Sequence, residues 1–294
     1  MTRWWFVSLL MAAACGDDGV NRLADAPPPP DAAIDAAIDA AIDAAIDVAI
    51  DGPPMITTMP VQRTGLGALC SVAFDSVDNE VIVYPCSGAM IHRRSTAGVA
   101  LGTIARPGEA ADDADLDVAP VAFTLGTTAV PAGALLFANG ETDVVEIYTP
   151  ETSATVALAT QFGASHVVGM AYHPTRATLF VAQDRNGATN PNTIAEINAA
   201  TGAVIGMFST VPAYVVNYGD VDVCRSSGNL FLVSSEETTI AEFTPAGALV
   251  AEYALPPQVT NASGIALEGD AAGSAWISDN GGGLWRVSGL PCAP

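Results

Sequence analysis

From Met55 onward the chain repeats one pattern five times, and this periodicity constrains the fold more than any other feature of its 294 residues. Each unit opens on a short strand carrying a small residue: Val72-Ala73-Phe74, Val121-Ala122-Phe123, Met170-Ala171-Tyr172, Val221-Asp222-Val223 and Ile265-Ala266-Leu267. A turn leads to a more apolar strand: Val81-Ile82-Val83-Tyr84, Leu135-Leu136-Phe137-Ala138, Leu179-Phe180-Val181-Ala182, Leu230-Phe231-Leu232-Val233 and Ala275-Trp276-Ile277-Ser278. These second strands recur at intervals of 54, 44, 51 and 45 residues, read from Val81, Leu135, Leu179, Leu230 and Ala275. A polar loop and a third strand follow (Val145-Glu146-Ile147, Ala195-Glu196-Ile197, Ala241-Glu242-Phe243, Trp285-Arg286-Val287), and the middle units add a fourth, as in Thr244–Val250. Four short strands per period of about 40–50 residues is the pattern of a β-propeller. Continuous apolar runs such as Leu179–Ala182 fit strands covered on both faces.

The expected fold is therefore all-β, a propeller of five four-stranded blades, or six if residues 99–118, which the repeat leaves unexplained, hide a degenerate blade. The last unit ends at Pro294 without a fourth strand, and the segment Met55–Val61 has no other employment. Placing that segment as the missing strand closes the ring and removes an open sheet edge.

Two stretches carry a family resemblance. Ala134–Asn139 through Val145–Tyr148, and Gly169–Pro174 through Leu179–Ala182, resemble YVTN-type propeller repeats. Ser278-Asp279-Asn280-Gly281 and the fourth and fifth units resemble SdiA-regulated and NHL-type propellers. The resemblance implies the fold; because unrelated functions share such folds, it implies no activity.

The N-terminal part reads as an address and a leash. Met1-Thr2-Arg3 is followed by an apolar stretch, Trp4–Ala14, of signal-peptide length. Ala12-Ala13-Ala14-Cys15 resembles the lipobox of bacterial lipoproteins, which implies cleavage after residue 14 and a diacylglyceryl group on Cys15. The alternative is an ordinary small-residue cleavage site that releases a soluble chain. Residues 15–54 would form the lipidated cysteine and its tether: Pro27–Pro30, then Asp-Ala-Ala-Ile repeated with little change to Asp51, then Gly52-Pro53-Pro54. Aspartates every four residues would stack like charges on a helix, and low-complexity tracts need form no packed core. A flexible coil of this length averages about 35 Å end to end, enough to lift residues 55–294 clear of lipid headgroups. The isoleucine stripe at 34, 38, 42, 46 and 50 reads as repeat expansion in a spacer more readily than as a binding face.

Thirty-two acidic against ten basic residues give a net charge of −22, which opposes any phosphate backbone and excludes nucleic acid as a partner. No apolar run reaches the about 18 residues a membrane span needs, so the membrane is met through lipid alone. Five cysteines are an odd number, and assigning Cys15 to lipid leaves four. Cys70 and Cys86 lie symmetrically about Asp78, opposite each other across the first hairpin, and Cys224 would then pair with Cys292. Cys70 with Cys292 across the ring closure is the other arrangement.

Candidate chemistry sits in the loops around the expected channel. Glu141, His166, Asp184, Asp220, Glu236 and Asp279 are the candidate metal or ligand residues. A ring of such carboxylates could hold Ca²⁺, a hard cation that takes six to eight oxygens, and a solvated acidic rim is the plainer reading. Lactonase-type propellers carry a glutamate at the start of the first blade, whereas Gly65-Leu66-Gly67-Ala68 stands there in this chain. Asp113-Ala114-Asp115-Leu116-Asp117 has alternating carboxylates, yet Val118 and Thr124 occupy the positions where a calcium loop needs glycine and glutamate. It reads as a solvated acidic loop. His92, His166 and His173 show no metal-ligand spacing, and no catalytic residue can be named.

The reading that results is a lipid-anchored protein of the bacterial cell envelope, periplasmic or surface-exposed and expected to be monomeric. Its propeller would be a non-catalytic module that binds an envelope protein or glycan. The alternative is a Ca²⁺-dependent propeller hydrolase of lactonase or phosphoesterase type.

Overall fold

A computed structural model describes residues 56–59, 62–106, 114–139, 145–158, 167–184 and 192–292. The stretches read from sequence as a signal peptide, a lipidated Cys15 and a tether lie outside the described residues.

Two short strands, β1 (Thr57–Thr58) and β2 (Gln62–Arg63), precede the first blade. Blade 1 consists of β3 (Leu69–Asp75), β4 (Glu80–Pro85), β5 (Met90–Ser95) and β6 (Ala100–Ala105), paired in that order. Blade 2 begins with β7 (Ala114–Val118), is interrupted by a hairpin of β8 (Phe123–Leu125) and β9 (Thr128–Val130), and continues with β10 (Leu135–Asn139), β11 (Val145–Thr149) and β12 (Ala154–Leu158). Blade 3 is β13 (Val167–His173), β14 (Thr178–Gln183), β15 (Thr193–Asn198) and β16 (Val204–Ser209). Blade 4 is β17 (Asp220–Val223), β18 (Leu230–Val233), β19 (Thr239–Phe243) and β20 (Leu249–Ala254). Blade 5 holds β21 (Ala262–Leu267), β22 (Ala275–Asp279) and β23 (Gly283–Ser288). All of these pairings are antiparallel, and the chain is a five-bladed β-propeller.

The ring closes as expected. β1 pairs with β23 through Thr57↔Ser288 and Thr58↔Val287, and β2 extends the same edge through Gln62↔Leu284 and Arg63↔Gly283. The fourth strand of blade 5 thus comes from the N-terminal side of the domain, which ties the two ends of the ring with backbone hydrogen bonds.

Two expectations are corrected. The first strand of blade 2 is not Val121–Phe123 but Ala114–Val118, which pairs with β10 through Leu135↔Val118 and Asn139↔Ala114. Residues 99–118 hide no sixth blade: they contain the fourth strand of blade 1 and the first strand of blade 2. The reason is burial of charge. Asp115 and Asp117 mark a sequence as solvent-exposed, yet this strand lines the ring interior with Asp115 wholly buried, because hydrogen-bond donors await the carboxylates.

The core lies between neighbouring blades. Tyr84 and Ile82 of blade 1 meet Leu116 and Phe137 of blade 2, and Tyr84 packs edge-on to Phe137 with ring centroids 5.6 Å apart. Val181 and Leu179 of blade 3 pack with Leu136 and Ile147 of blade 2. Phe180 of blade 3 packs with Phe243 and Leu232 of blade 4, and Phe231 of blade 4 with Ile277 and Trp285 of blade 5. Trp276 of blade 5 closes the circle on Val72 and Val83 of blade 1. Each fully buried aromatic of this kind contributes roughly 1.5–3 kcal/mol.

Both disulfides join the expected cysteines, Cys70 with Cys86 (Cα–Cα 4.8 Å) and Cys224 with Cys292 (Cα–Cα 5.5 Å). The hairpin register differs by one residue from the symmetry about Asp78, since Val72 faces Val83 and Ser71 faces Tyr84. The register shifts between Leu69 and Ser71, leaving Cys70 at a bulge with no residue directly opposite it, and its side chain bridges to Cys86 beyond the end of the paired strand. The second disulfide pins the C-terminal segment after blade 5 to blade 4.

Candidate functional site

The first strands β3, β7, β13, β17 and β21 surround the central channel, and each presents a sheet edge to it. Their N–H and C=O groups have no partner strand on that side and must be satisfied otherwise. The joints between blades do this in three ways. From blade 1 to blade 2, Ser71 Oγ donates to Leu116 O and accepts from Leu116 N, both at 3.3 Å. From blade 2 to blade 3, Asp115 Oδ2 accepts Met170 N at 2.6 Å and Asp117 Oδ2 accepts Tyr172 N at 3.1 Å. From blade 4 to blade 5 the motif recurs: Asp220 Oδ2 accepts Ile265 N at 2.9 Å and Asp222 Oδ2 accepts Leu267 N at 2.6 Å. The joints from blade 3 to 4 and from blade 5 to 1 bring the backbones into close approach, and in the latter Ser263 Oγ also donates to Leu69 O at 2.6 Å. A Cβ on Gly169 would stand 2.6 Å from Val221 N, and one on Gly264 would stand 2.7 Å from Val72 N. No larger residue fits at either position.

Four aspartates thus lie in the channel. Burial raises all of them above the ordinary carboxylate range, Asp115 to about 7 and Asp222 to about 6. Asp117 and Asp220 are likewise raised by burial, then by the nearby charges of Asp222 and Asp115 respectively. The N–H bonds to each carboxylate oppose the shift without cancelling it.

The channel is nearly closed at one mouth. A void of about 10 Å³ remains there between Cys70, Ala114, Val168, Gly219, Ser263 and Asn280, room for about one water, and Tyr218 stands over it. Tyr218 is half exposed and adopts φ +43°, a left-handed conformation that a bulky residue rarely takes. It is held by neighbours. Tyr218 N donates to Asp184 Oδ2 at 3.4 Å, Asn217 Nδ2 to Glu236 Oε1 at 3.0 Å, and Ser235 Oγ to Asn217 O at 2.7 Å. Asn261, also left-handed at φ +58°, accepts Asn280 N through its carbonyl at 3.1 Å. Among the described residues this mouth presents the Tyr218 ring together with amide, hydroxyl and carboxylate groups. The opposite mouth is lined by Asp117, Asp222, Tyr172 and Arg225.

The sequence-derived candidates separate on this frame. Asp184 and Glu236 gather about the segment 217–218. Asp220 lies in the channel wall, with Oδ1 on Val221 N at 2.6 Å besides its bond to Ile265. Asp279 is buried in the turn between β22 and β23, where it accepts Gly281 N and Gly283 N at 2.8 Å and the indole N–H of Trp285 at 2.9 Å. Both of its oxygens are occupied in shaping that turn. Glu141 and His166 lie outside the described residues. Among the described residues no three His, Cys, Asp or Glu side chains gather in a metal-holding arrangement. His173, with its Nδ1 accepting Arg176 N at 3.3 Å, is the turn residue its position suggests.

Asp115 and Asp117, read from sequence as a solvated loop, are instead structural carboxylates of the channel. Asp222 and Tyr218 were not singled out at all. The legible signal for the aspartates was the recurrence of Asp-x-Asp at the start of a strand, 115/117 and 220/222; nothing local marks Tyr218.

No family model matches the chain, and no curated protein is similar to it in sequence. Solved structures are similar in fold. A glutaminyl cyclase from Myxococcus xanthus shares 12% identity over 80% of this chain and 97% of that one, with a TM-score of 0.53. A gluconolactonase from Xanthomonas campestris shares 20% identity over 74% of this chain and 70% of that one, TM-score 0.46. A virginiamycin B lyase from Staphylococcus aureus shares 15% identity over 81% of this chain, TM-score 0.44, and the chain spans 66% of that protein's length. What this chain shares with the glutaminyl cyclase is the fold.

Proposed function

We propose that this chain is an exported envelope protein, anchored by lipid on Cys15 and carried on the tether of residues 15–54, whose propeller is a non-catalytic binding module for an envelope protein or glycan. The observation that carries the reading is Tyr218, half exposed above a closed channel and held at φ +43°. Left-handed backbone at a bulky residue costs of order 1–3 kcal/mol and persists where surrounding structure, and function, require it. An amphipathic ring beside Asn217 and Asn280 suits a partner lying across the mouth, with apolar contact on the ring and polar contacts at its edge. Two of the candidate metal or ligand carboxylates, Asp220 and Asp279, accept N–H donors of the chain itself.

A second reading, a Ca²⁺-dependent hydrolase of lactonase or phosphoesterase type, draws on the acidic residues of the channel and its loops. One set of measurements separates the two. Full-length protein and its Tyr218→Ala variant are exposed to purified envelope glycans and solubilised envelope proteins on a surface biosensor. Retention by one of these ligands, weakened at least tenfold in the variant, supports the module. Calcium binding by calorimetry together with lactone or phosphoester turnover would replace it. For the anchor, mass spectrometry of the mature N-terminus should show an acyl-modified Cys15, and Cys15→Ser should move the protein to the soluble fraction.

A further inference from the structure

We propose that the cleft where the ring closes, between blade 5 and blade 1, binds a neutral sugar unit through the indole N–H of Trp276 and the side-chain amide of Gln62. The cleft shares no lining residue with the Tyr218 mouth, and the inference does not rest on the reading given for that mouth.

The cleft has a volume of about 670 Å³, within the range of small-molecule sites. It lies between Arg286 of β23, Met59 and Gln62 of the closing segment, and Thr96 in the turn after β5. Trp276 of β22 lies beneath it, only 1% exposed, and its indole nitrogen has no hydrogen-bond partner within the chain. A buried tryptophan ordinarily finds such a partner, as Trp285 of the same blade finds Asp279. Gln62 Nε2 donates to Thr96 O at 3.1 Å, and the enclosed Oε1 accepts nothing. The cleft thus holds one unmet donor and one unmet acceptor. A hydroxyl can answer either, and a pair of sugar hydroxyls answers both.

Charge narrows the ligand further. Arg286 is already committed, its Nε to Glu268 Oε1 and its Nη2 to Glu268 Oε2, both at 2.6 Å, and Nη2 also to Asp270 Oδ2 at 3.2 Å. Two carboxylates against one guanidinium repel an anion, in a chain whose net charge is −22. A bare cation has no lone pair for the Trp276 N–H. A peptide amide both donates and accepts, but its apolar side chains would find only Met59 and Ala97 among hydroxyl, amide and ion-paired groups. A sugar ring carries polar groups around its edge and small C–H faces, which suits that lining.

The ring supplies its own comparison. The cleft between blades 3 and 4 has the same construction: an ion pair, Arg176 with Glu196, beside the third-to-fourth-strand turn Thr244–Ala246. Phe180 faces Glu196 there as Trp276 faces Arg286. That cleft measures about 450 Å³ and its buried ring has no polar atom to satisfy. The larger volume and the unanswered indole belong to the cleft at the ring closure.

The test follows the four indole N–H signals of the full-length chain, labelled with ¹⁵N at tryptophan, by NMR as glucose, galactose or N-acetylglucosamine is added. The Trp276 signal, assigned as the one missing from Trp276→Phe, should shift saturably for at least one of these sugars, with a midpoint below about 10 mM. Glucuronate should leave it in place. Gln62→Met keeps the side-chain length without its carbonyl and should raise the midpoint about fivefold or more. A methyl glycoside that binds as well as the free sugar makes the ligand the end of a glycan; binding confined to the free sugar makes it a soluble one, and either result upholds the site. The proposal is overturned if none of the sugars moves the Trp276 signal, if glucuronate moves it equally, or if N-acetylalanine methylamide moves it in their place. It is overturned too if sugar binding survives in Trp276→Phe and is lost in Tyr218→Ala, which would put the ligand at the channel mouth. Should Trp276→Phe fail to fold, the signal is assigned from its contacts to Val72 and Val83, and Gln62→Met decides.

Discussion

Asp222 Oδ2 accepts the backbone N–H of Leu267 at 2.6 Å, a bond from the first strand of one blade to the first strand of the next. Asp117 does the same for Tyr172 between blades 2 and 3. These side chains act as a surrogate strand for sheet edges that face a narrow channel, and they make charged residues part of the ring's construction.

Asp222→Ala leaves the N–H groups of Leu267 and Val223 without their acceptor. At about pH 5 the expected loss is about 1–3 kcal/mol in urea unfolding. The loss should shrink by about pH 8, where the wild-type protein carries the buried charge that the variant lacks. A penalty that grows with pH would contradict the assignment.

For Asp279→Ala the deprived buried donors are Gly283 N and Trp285 Nε1. The expected cost is about 3 kcal/mol or more, given about 1–3 kcal/mol per orphaned buried group. Tryptophan fluorescence should report the change at Trp285 even in the folded variant.

The pH dependence of the whole ring follows from the raised aspartates. Each has a folded pKa above its unfolded value, so the folded chain binds more protons between about pH 4 and 7. Stability is therefore full below about pH 4 as far as these groups are concerned, and falls as pH rises through about 6 to 7. The slope is at most about 1.4 kcal/mol per pH unit for each proton released. Unfolding midpoints in urea should accordingly be higher at about pH 5 than at about pH 8.

Cys292→Ser opens a cross-link that spans 68 residues. The chain-entropy relation puts its stabilisation at about 4 kcal/mol. Amide exchange should accelerate in β23 and in β1, which is paired to it, more than in blade 3.

Tyr218→Gly separates stability from binding. Glycine accepts φ +43° without steric cost, and the relief of about 1–2 kcal/mol offsets its greater chain entropy. The melting temperature should stay level or rise while binding of the envelope ligand is lost. A fall of several degrees would make Tyr218 a packing residue.

The amino-acid sequence by itself determined the propeller, the blade count to within one and the closing strand, and it narrowed the disulfides to two arrangements between which the fold decided. Each of these depends on periodicity or on cysteine parity, which a linear pattern displays. Strand β7 escaped because Asp115-Leu116-Asp117 looks solvated by every local measure, and only the edge of the neighbouring blade, 55 residues on, supplies the N–H groups that make its burial tolerable. Asp279 was legible as a special residue but not as a turn support, since its partners Gly283 and Trp285 become partners through the hairpin's geometry. Period and polarity are properties of the chain; who satisfies a buried charge is a property of the assembled fold, because hydrogen bonds are short-ranged and blind to sequence distance.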